Sequence, residues 1–244
     1  MIYFVVPAYN EEKNIGTLIE ETHAFALSNH LEYKLIVVDD GSADETARIV
    51  LEKAHSYPCL LVSYKPNRGV GEAFRQGLNK ALSLAKDKDV IVTKEADHTS
   101  DLGILQKLLE QVRSGSDVAL ASCYAKGGGV TGTTLSRIIL SRCANLLIYA
   151  AFNIRGIHTY SSFYRVYRPA ALRKVLSRYG DFYEETGFGC VVELLVRLAR
   201  LKMKITEVPM LLQTGLRVGK SKMKVGKTIQ GYLRIIVRNA FRRL

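Results

Sequence analysis

The chain has 244 residues, of which 48% are hydrophobic and 24% charged, and its formal net charge is +12. This length corresponds to one large domain or two small ones, and the composition excludes a disordered tail, a collagen-like fibre and a disulfide-dense mini-protein. The excess of positive charge indicates an anionic partner, which can be a nucleic acid, a phosphate compound or a lipid surface.

The N-terminal half alternates between predicted strands and helices. Short apolar runs predict strands, and longer amphipathic segments predict helices. The strands are expected at 3–6, 35–38, 60–64, 90–93 and 118–121, and the helices at 10–28, 45–54, from 71 to about 85, and at 102–113. Such alternation predicts βαβ units, a mostly parallel central sheet flanked by helices, and therefore the α/β class.

The C-terminal half is less regular. Helices are predicted at 135–152, 191–200 and 224–244, and strands at 163–167 and 205–208. Arg142 and Asn145 interrupt the most apolar stretch, so no transmembrane helix is expected. The N-terminus reads as a strand and not as a signal peptide. The four cysteines form no CxxC pair, which is typical of reduced thiols in a cytosolic protein.

Two polar clusters follow the first two predicted strands, where open α/β sheets bind their ligands. In the segment 7–11, Tyr9 offers a flat ring to a base or ribose and Glu11 offers a carboxylate. In the segment 37–42, Asp39 can accept hydrogen bonds from a nucleobase or a ribose hydroxyl. The alternatives are a turn with a helix cap for the first cluster and an Asx turn for the second.

A third cluster, at 94–97, follows the fourth predicted strand. Glu95 and Asp97 can share a divalent cation whose remaining ligands are water and phosphate oxygens. Such a cation would neutralise a diphosphate leaving group, and the alternative is a solvated acidic loop.

Two further segments were considered as phosphate sites. Gly69 and Gly71 lack the third glycine of a dinucleotide fingerprint, so this segment is interpreted as the entry of a helix. The segment 217–222 places three cations and a hydroxyl around a glycine, which is compatible with a phosphate clamp or with a basic surface loop.

Taken together and in this order, the pieces PAYNE, VVDDGS, EAD, SFYRVYR and GKSK resemble the family 2 glycosyltransferases of the GT-A fold. Within that family they are most similar to polyprenyl-phosphate glycosyltransferases of the dolichyl-phosphate mannose synthase group. The resemblance runs from Pro7 to about Lys222 and implies one Rossmann-like GT-A domain at 1–222. Its nucleotide-binding half is expected at about 1–122 and its acceptor half at about 123–222, followed by a basic amphipathic helix at 223–244.

The resemblance implies a metal-dependent, inverting transfer from a GDP- or UDP-linked sugar to a polyprenyl phosphate, with Mg²⁺ or Mn²⁺ as cofactor. The residues expected in the nucleotide pocket are Pro7, Tyr9, Glu11, Val37, Asp39, Glu95 and Ala96. Asp97 and Glu95 are the expected metal ligands, and Asp97, Arg217 and Lys222 the expected catalytic residues. Arg137 and Ser221 are expected to bind the acceptor phosphate.

The chain departs from the family pattern at three positions. Glu95 replaces the first Asp of the metal motif, Cys123 stands where many members have Arg, and Thr159 stands where the family has Asp. Lys126 is an alternative source of the cation missing at Cys123. These departures leave room for an altered donor or acceptor, or for a non-catalytic paralogue.

The acceptor decides whether a base is needed. A phosphate is already anionic near neutral pH, so its attack on the sugar requires no strong general base. The alternative acceptor, a saccharide hydroxyl in glycan or cell-envelope synthesis, requires one, and Asp97, Glu184 and Glu185 are then the candidates.

The positive charge is concentrated near the C-terminus, where 208–244 contains nine basic residues and no Asp or Glu. In the last predicted helix, Arg234, Arg238 and Arg242 recur every four residues beside an apolar face. This pattern predicts peripheral attachment to the cytoplasmic face of a membrane; the alternative is a helix packed on the domain with its arginines in water. A membrane subunit remains open as a partner, and the absence of zinc-ligand spacing and of helix-turn-helix patterns argues against nucleic acid.

Overall fold

The computed structural model describes residues 1–218 and 222–241. The strands are β1 (Ile2–Ala8), β2 (Tyr33–Asp39), β3 (Cys59–Ser63), β4 (Val90–Thr93), β5 (Val118–Ser122), β6 (Gly129–Thr131), β7 (Arg165–Tyr167), β8 (Ile205–Pro209) and β9 (Leu211–Gln213). The helices are α1 (Ile15–Ser28), α2 (Thr46–Lys53), α3 (Val70–Leu84), α4 (Ile104–Arg113), α5 (Leu135–Phe152), α6 (Pro169–Tyr179), α7 (Cys190–Arg200) and α8 (Val225–Phe241).

Seven strands form the central sheet, in the order β3-β2-β1-β4-β7-β5-β8. All its neighbouring pairs are parallel except those of β7, which runs antiparallel to β4 and β5. In this register Ala8 pairs with Asp39, and Val5 pairs with Thr93. The carboxyl ends of β1, β2 and β4 therefore open at one edge of the sheet, which confirms the predicted α/β architecture with a mostly parallel sheet.

Helices cover both faces of this sheet, as its almost continuously apolar strands require. The side chains of α1 and α4 pack on one face with Phe4, Leu35 and Val92. The side chains of α3, α6 and α7 pack on the other face with Val5, Ile36 and Ile91. A third apolar cluster joins Ile148 of α5, Leu195 of α7 and Ile235 of α8 beside this second layer.

Helix α6 and the strands β6 and β9 were not predicted from the sequence. The two strands pair with each other in a small separate sheet. Helix α6 carries Pro169 at its first position and buries Leu172 and Val175. The proline and this i, i+3 pair are signals that the sequence does contain.

The first helix begins later than predicted. Asn10 has a φ of 52° and lies in the turn before α1, which starts at Ile15. The Asn10 side chain does not cap the helix, because its carbonyl oxygen accepts a hydrogen bond from the Ala43 N–H at 2.8 Å. The segment after β1 is thereby held to the segment after β2.

Helix α5 has the length and the apolar composition of a membrane-crossing helix, which by itself does not decide the expectation that no helix crosses a membrane. The sequence-based expectation rests on Arg142 and Asn145, which interrupt the apolar run of this helix. Only Asn145 and Ile148 of this helix are buried in the domain. Length and composition are all that favours a crossing.

Helix α8 pairs two members of its predicted row of arginines with acidic groups of the domain. Arg234 donates to Glu185 at 3.1 Å, and Arg238 donates to Glu184 at 2.9 Å and to Glu193 at 3.4 Å. These two arginines are therefore engaged with acidic groups of the α6–α7 segment and α7. The Arg234 side chain is still 62% exposed, so its contact with an anionic surface stays a prediction. Arg242, the third member of the predicted row, lies outside the described residues.

Candidate active site

A cavity of about 710 Å³ opens at the carboxyl ends of β1, β2 and β4 and extends between α5 and α8. The predicted site residues in its wall are Pro7, Tyr9, Glu11, Glu95, Ala96, Asp97, Arg137, Arg217 and Lys222. The topology thus brings together side chains that lie up to 215 positions apart in the chain, from Pro7 to Lys222.

Two predicted nucleotide-binding residues do not line this cavity. Val37 is fully buried in the sheet. Asp39 is 1% exposed, and its carboxylate accepts hydrogen bonds from the Ser42 N–H and the Ser63 hydroxyl, both at 3.0 Å. A nucleotide contact by Asp39 stays a prediction, because its carboxylate is committed to the turn after β2.

The neighbouring Asp40 lies in the cavity wall instead. Its carboxylate accepts the N–H groups of Arg68 at 2.7 Å and Gly69 at 2.9 Å, and the Asn67 side-chain amide at 2.9 Å. Burial raises the pKa of Asp40 above its ordinary value in spite of these donors. Asp40 therefore fixes the segment that leads into α3. Asn67 and Gly69 of this segment also line the cavity, but the sequence analysis interprets the segment only as the entry of a helix and does not predict them as site residues.

The two predicted metal ligands lie side by side after β4. Burial, followed by the negative charge of Asp97, raises the pKa of Glu95 to about 8, against the opposing charges of Arg217 and Lys94. Lys94 itself is buried, and burial lowers its pKa. Two carboxyl groups that repel each other in a buried site are the arrangement that an added cation relieves.

In the structure, the side chains of Arg217 and Lys222 bring positive charge to the acidic residues at this end of the cavity. The Asp97 carboxylate accepts the Arg217 Nε at 2.7 Å, and its other oxygen accepts the Thr99 hydroxyl at 2.7 Å. Lys222 forms an ion pair with Glu11 and donates to the Asn10 carbonyl at 3.0 Å. Both cations reach across from the segment that follows β9 and close the charged end of the cavity.

Carboxylate oxygens suit Mg²⁺ or Mn²⁺, and such ions are commonly held by one or two carboxylates together with substrate phosphates. Residues 1–218 and 222–241 contain no group of three His, Cys, Asp or Glu side chains arranged for a metal. Glu95 and Asp97 therefore fit a metal that shares its coordination with a diphosphate, and do not form a complete metal cage.

The other end of the cavity lies at α5. Arg137 is exposed in its first turn, and Thr134 caps the helix by accepting the Arg137 N–H at 3.4 Å. Ile138 and Ser141 continue this wall of the cavity, and Tyr232 of α8 faces the same space. Ser221, the other predicted acceptor-phosphate residue, lies outside the described residues.

Two of the three positions that depart from the family pattern, Cys123 and Thr159, meet in this part of the wall. The Cys123 thiol lies 3.9 Å from the Thr159 hydroxyl, which also contacts the Ser122 hydroxyl at 2.8 Å. Burial raises the pKa of the Cys123 thiol. Cys123 and Thr159 are therefore neighbours and form an uncharged part of the cavity wall. Lys126, the predicted alternative cation, is exposed and lies outside this wall.

The candidate bases for a hydroxyl acceptor lie elsewhere. Glu184 and Glu185 are paired with arginines of α7 and α8 and are not among the cavity-lining residues. Asp97, the third candidate, is engaged by Arg217.

Comparison with known proteins places this arrangement among glycosyltransferases. The family model described as glycosyl transferase family 2 matches residues 3–176. A dolichol-phosphate mannosyltransferase of Pyrococcus furiosus is 33% identical over 96% of this chain, which spans 62% of that relative's length. A polyprenol monophosphomannose synthase of Mycolicibacterium smegmatis is 31% identical over 90% of this chain and 79% of its own length.

Solved structures show the same fold at lower identity. Glucosyl-3-phosphoglycerate synthase of Mycobacterium tuberculosis, in complex with Mn²⁺, UDP and phosphoglyceric acid, superposes with a TM-score of 0.69 at 18% identity. This match covers 97% of this chain and 76% of that one. The complex of the same enzyme with Mn²⁺ and UDP-glucose gives a TM-score of 0.67 at 18% identity, over 97% and 76% of the two chains. The likeness confirms the expected GT-A architecture.

Proposed function

This chain belongs to glycosyl transferase family 2, and we propose that it transfers a sugar from a nucleotide-sugar donor to a polyprenyl phosphate at a membrane surface. The observation that carries the proposal is that one continuous cavity has two chemically different ends. Acidic and basic side chains meet at one end, and the other end runs between two helices that expose apolar side chains. A diphosphate and a lipid phosphate are substrates of matching chemistry.

The charged end suits the donor. Tyr9 and Asn67 offer an aromatic ring and an amide to a base and a ribose, and GDP- and UDP-linked sugars are the candidate donors. Arg217 and Lys222 would exchange their carboxylate partners for the diphosphate, because phosphate oxygens are strong acceptors for both cations. Their present pairing with Asp97 and Glu11 keeps them at the place where that charge develops.

Glu95 and Asp97 would hold Mg²⁺ or Mn²⁺ together with the diphosphate, and this ion would neutralise the leaving group when bound. The Mn²⁺ complexes of the structurally similar synthase support a divalent cation. The longer side chain of Glu95 leaves Asp97, which is fixed by Thr99, as the better oriented ligand.

The other end suits a lipid phosphate. The names of the two relatives refer to dolichol phosphate and to polyprenol monophosphomannose, which supports this acceptor class. Arg137 would bind the phosphate, whose oxygen attacks the anomeric carbon directly and inverts it. Such an attack needs no general base, in keeping with the engagement of Glu184 and Glu185 in ion pairs.

The proposal is tested by incubating radiolabelled GDP-mannose and a panel of UDP- and dTDP-sugars with polyprenyl phosphate and Mn²⁺. We expect an organic-soluble product with one donor, and a rate at least about 100-fold lower for Asp97→Asn. Asp101→Asn is the matched control, because Asp101 lies on the same segment but is exposed and outside the cavity wall. A product that is only water-soluble would rule out the lipid acceptor, and no product with any donor would indicate a non-catalytic paralogue.

A further inference from the structure

Asn14 is the residue immediately before α1, and it is buried beside the charged end of the cavity. It is 3% exposed and is not among the cavity-lining residues. It follows Glu11, which does line the cavity, by three positions, and its backbone N–H donates to the Glu11 carbonyl at 2.9 Å. A single turn of chain therefore connects this buried amide to a predicted nucleotide-binding residue.

The orientation of the Asn14 side chain does not serve the helix. An asparagine before a helix ordinarily caps it, because the side-chain oxygen accepts a free N–H group of the first turn. Asn14 makes no such bond. Its Oδ1 is buried and has no hydrogen-bond partner within residues 1–218 and 222–241. A buried amide oxygen without a partner is unfavourable, so the stability of α1 alone does not explain this orientation.

The amide nitrogen of Asn14 explains it instead. Nδ2 donates to the Glu11 carboxylate at 2.6 Å and to the Val218 carbonyl at 3.3 Å. The other carboxylate oxygen of Glu11 forms the ion pair with Lys222. Val218 directly follows Arg217, so one amide contacts both the turn after β1 and the segment after β9.

The backbone of Asn14 makes a separate contact with the segment of the predicted metal ligands. His98, which follows Asp97, places its Nε2 3.2 Å from the Asn14 carbonyl oxygen. This contact uses the main chain, and it therefore remains when only the side chain is replaced. The role of the side-chain amide can be tested apart from the packing of α1.

The geometry gives the Glu11 side chain one orientation. Its carboxylate, whose side chain is 14% exposed, is held by the Asn14 amide at one oxygen and by the Lys222 ammonium at the other. When Lys222 exchanges Glu11 for the diphosphate, the Asn14 amide is the partner of these two that stays. A group that is already oriented loses less freedom when it binds a ligand.

We propose that Asn14 is a positioning residue of the donor site, which holds the Glu11 carboxylate toward the nucleotide while Lys222 turns to the diphosphate. The inference rests on the proposed function, because it assumes that Glu11 binds the nucleoside part of the donor. Asn14 does not touch the donor and acts through Glu11.

Calorimetric titration with GDP and with UDP, each in the presence of Mn²⁺, measures the donor site without turnover. We expect Asn14→Ser to weaken the binding of the preferred nucleotide about tenfold, because a hydrogen bond to a charged group is lost. Serine remains a good residue before a helix. Asn14→Asp keeps the size of the side chain and should weaken binding further, because it places a second carboxylate against Glu11. Thermal unfolding shows whether each variant is folded.

Asn29→Ser is the matched control at the other end of α1. The Asn29 side chain donates to the Phe25 carbonyl at 2.7 Å and accepts the Gln106 amide at 2.8 Å, and Asn29 lies outside the cavity wall. We expect this variant to have a lower melting temperature and an unchanged nucleotide affinity. A purely structural role of Asn14 predicts the same result for Asn14→Ser.

The route through Glu11 is tested with a double variant. Glu11→Ala should itself weaken nucleotide binding. Effects that pass through one shared partner do not add, so Glu11→Ala/Asn14→Ser should bind within about threefold of Glu11→Ala alone. An additive loss in the double variant would show that Asn14 acts independently of Glu11.

Several other results would also overturn the inference. One is a wild-type nucleotide affinity in Asn14→Ser and Asn14→Asp. Another is a failure of both variants to fold, which would assign Asn14 to the stability of α1. A wild-type chain that binds neither nucleotide would refute the proposed donor class together with the inference. If the wild-type chain transfers sugar to polyprenyl phosphate and Asn14→Ser keeps its nucleotide affinity, the inference fails and the proposed function stands.

Discussion

Glu193 of α7 is the centre of a buried ionic network that holds α8 against the domain. The side chain of Glu193 accepts the N–H groups of Glu184 at 3.1 Å and Glu185 at 2.9 Å. It also accepts Arg197 at 2.8 Å and Arg238 of α8 at 3.4 Å. Glu193 is 1% exposed and Arg197 3% exposed, so water cannot solvate either charge if its partner is removed.

The substitution Glu193→Ala removes the buried carboxylate partner of the Arg197 guanidinium and leaves it the partly exposed Glu184 at 3.2 Å. Breaking a buried pair from one side costs about 3–5 kcal/mol. The N–H groups of Glu184 and Glu185 also lose their acceptor, which adds to the loss. Each 1 kcal/mol lowers the melting temperature by about 2–4 °C for a chain of this size, so a decrease of about 6–20 °C is expected.

The assay is urea and thermal unfolding at neutral pH, followed by circular dichroism. Glu45→Ala is the control, because Glu45 pairs with Arg48 on the surface and both side chains are 59% exposed. An exposed pair of this kind contributes less than about 1 kcal/mol. A loss of less than about 1 kcal/mol for Glu193→Ala would refute the reasoning that this network, including Arg238 of α8, is a structural one.

Two further predictions concern the cations of the site and the acid stability of the fold. Arg217→Gln removes the ion-pair partner of Asp97. Calorimetry should therefore show about tenfold tighter binding of Mn²⁺ alone, but weaker binding of the Mn²⁺–nucleotide-sugar complex. An unchanged Mn²⁺ affinity would show that Arg217 does not compete with the metal for Asp97. The pKa of Glu72 is lowered, because hydrogen bonds from Gln76 and Arg75 outweigh its burial. The stabilisation from Glu72 is therefore present above its ordinary pKa of about 4.3 and is lost as the pH falls through the folded-state value. Urea unfolding between about pH 6 and 3 should show a smaller acid-induced loss for Glu72→Gln, and an identical pH profile would contradict this assignment.

Local patterns located most of the secondary structure. The apolar run at the N-terminus appears as β1, and α5 has the predicted bounds, Leu135–Phe152. Both elements follow from periodicity, which a single segment carries by itself. Helix α6 and the strands β6 and β9 were missed: α6 alternates apolar and basic residues over a short length, and each of the two strands has three residues.

The candidate site was predicted less completely, and Asp39 and Asp40 illustrate the reason. Adjacent residues at a strand end point to opposite sides, so the pleat of the sheet decides which carboxylate lines the cavity. In the structure this is Asp40, and Asp39 is held by Ser42 and Ser63. The sequence locates the acidic pair but not the direction of each side chain.

The sequence by itself determined the α/β class, the order of the main strands and helices, and the acidic and basic motifs that point to a nucleotide-sugar site. Only the tertiary structure decided which charges meet. The arginine row of α8 has the pattern of a lipid-binding face, yet Arg234 and Arg238 pair with acidic groups from a distant part of the chain. Periodicity records which residues share one face of a helix, whereas the partner of that face depends on packing between segments far apart in sequence. For the same reason, the tertiary structure alone shows that most apolar side chains of α5 stay exposed while Ile148 is buried.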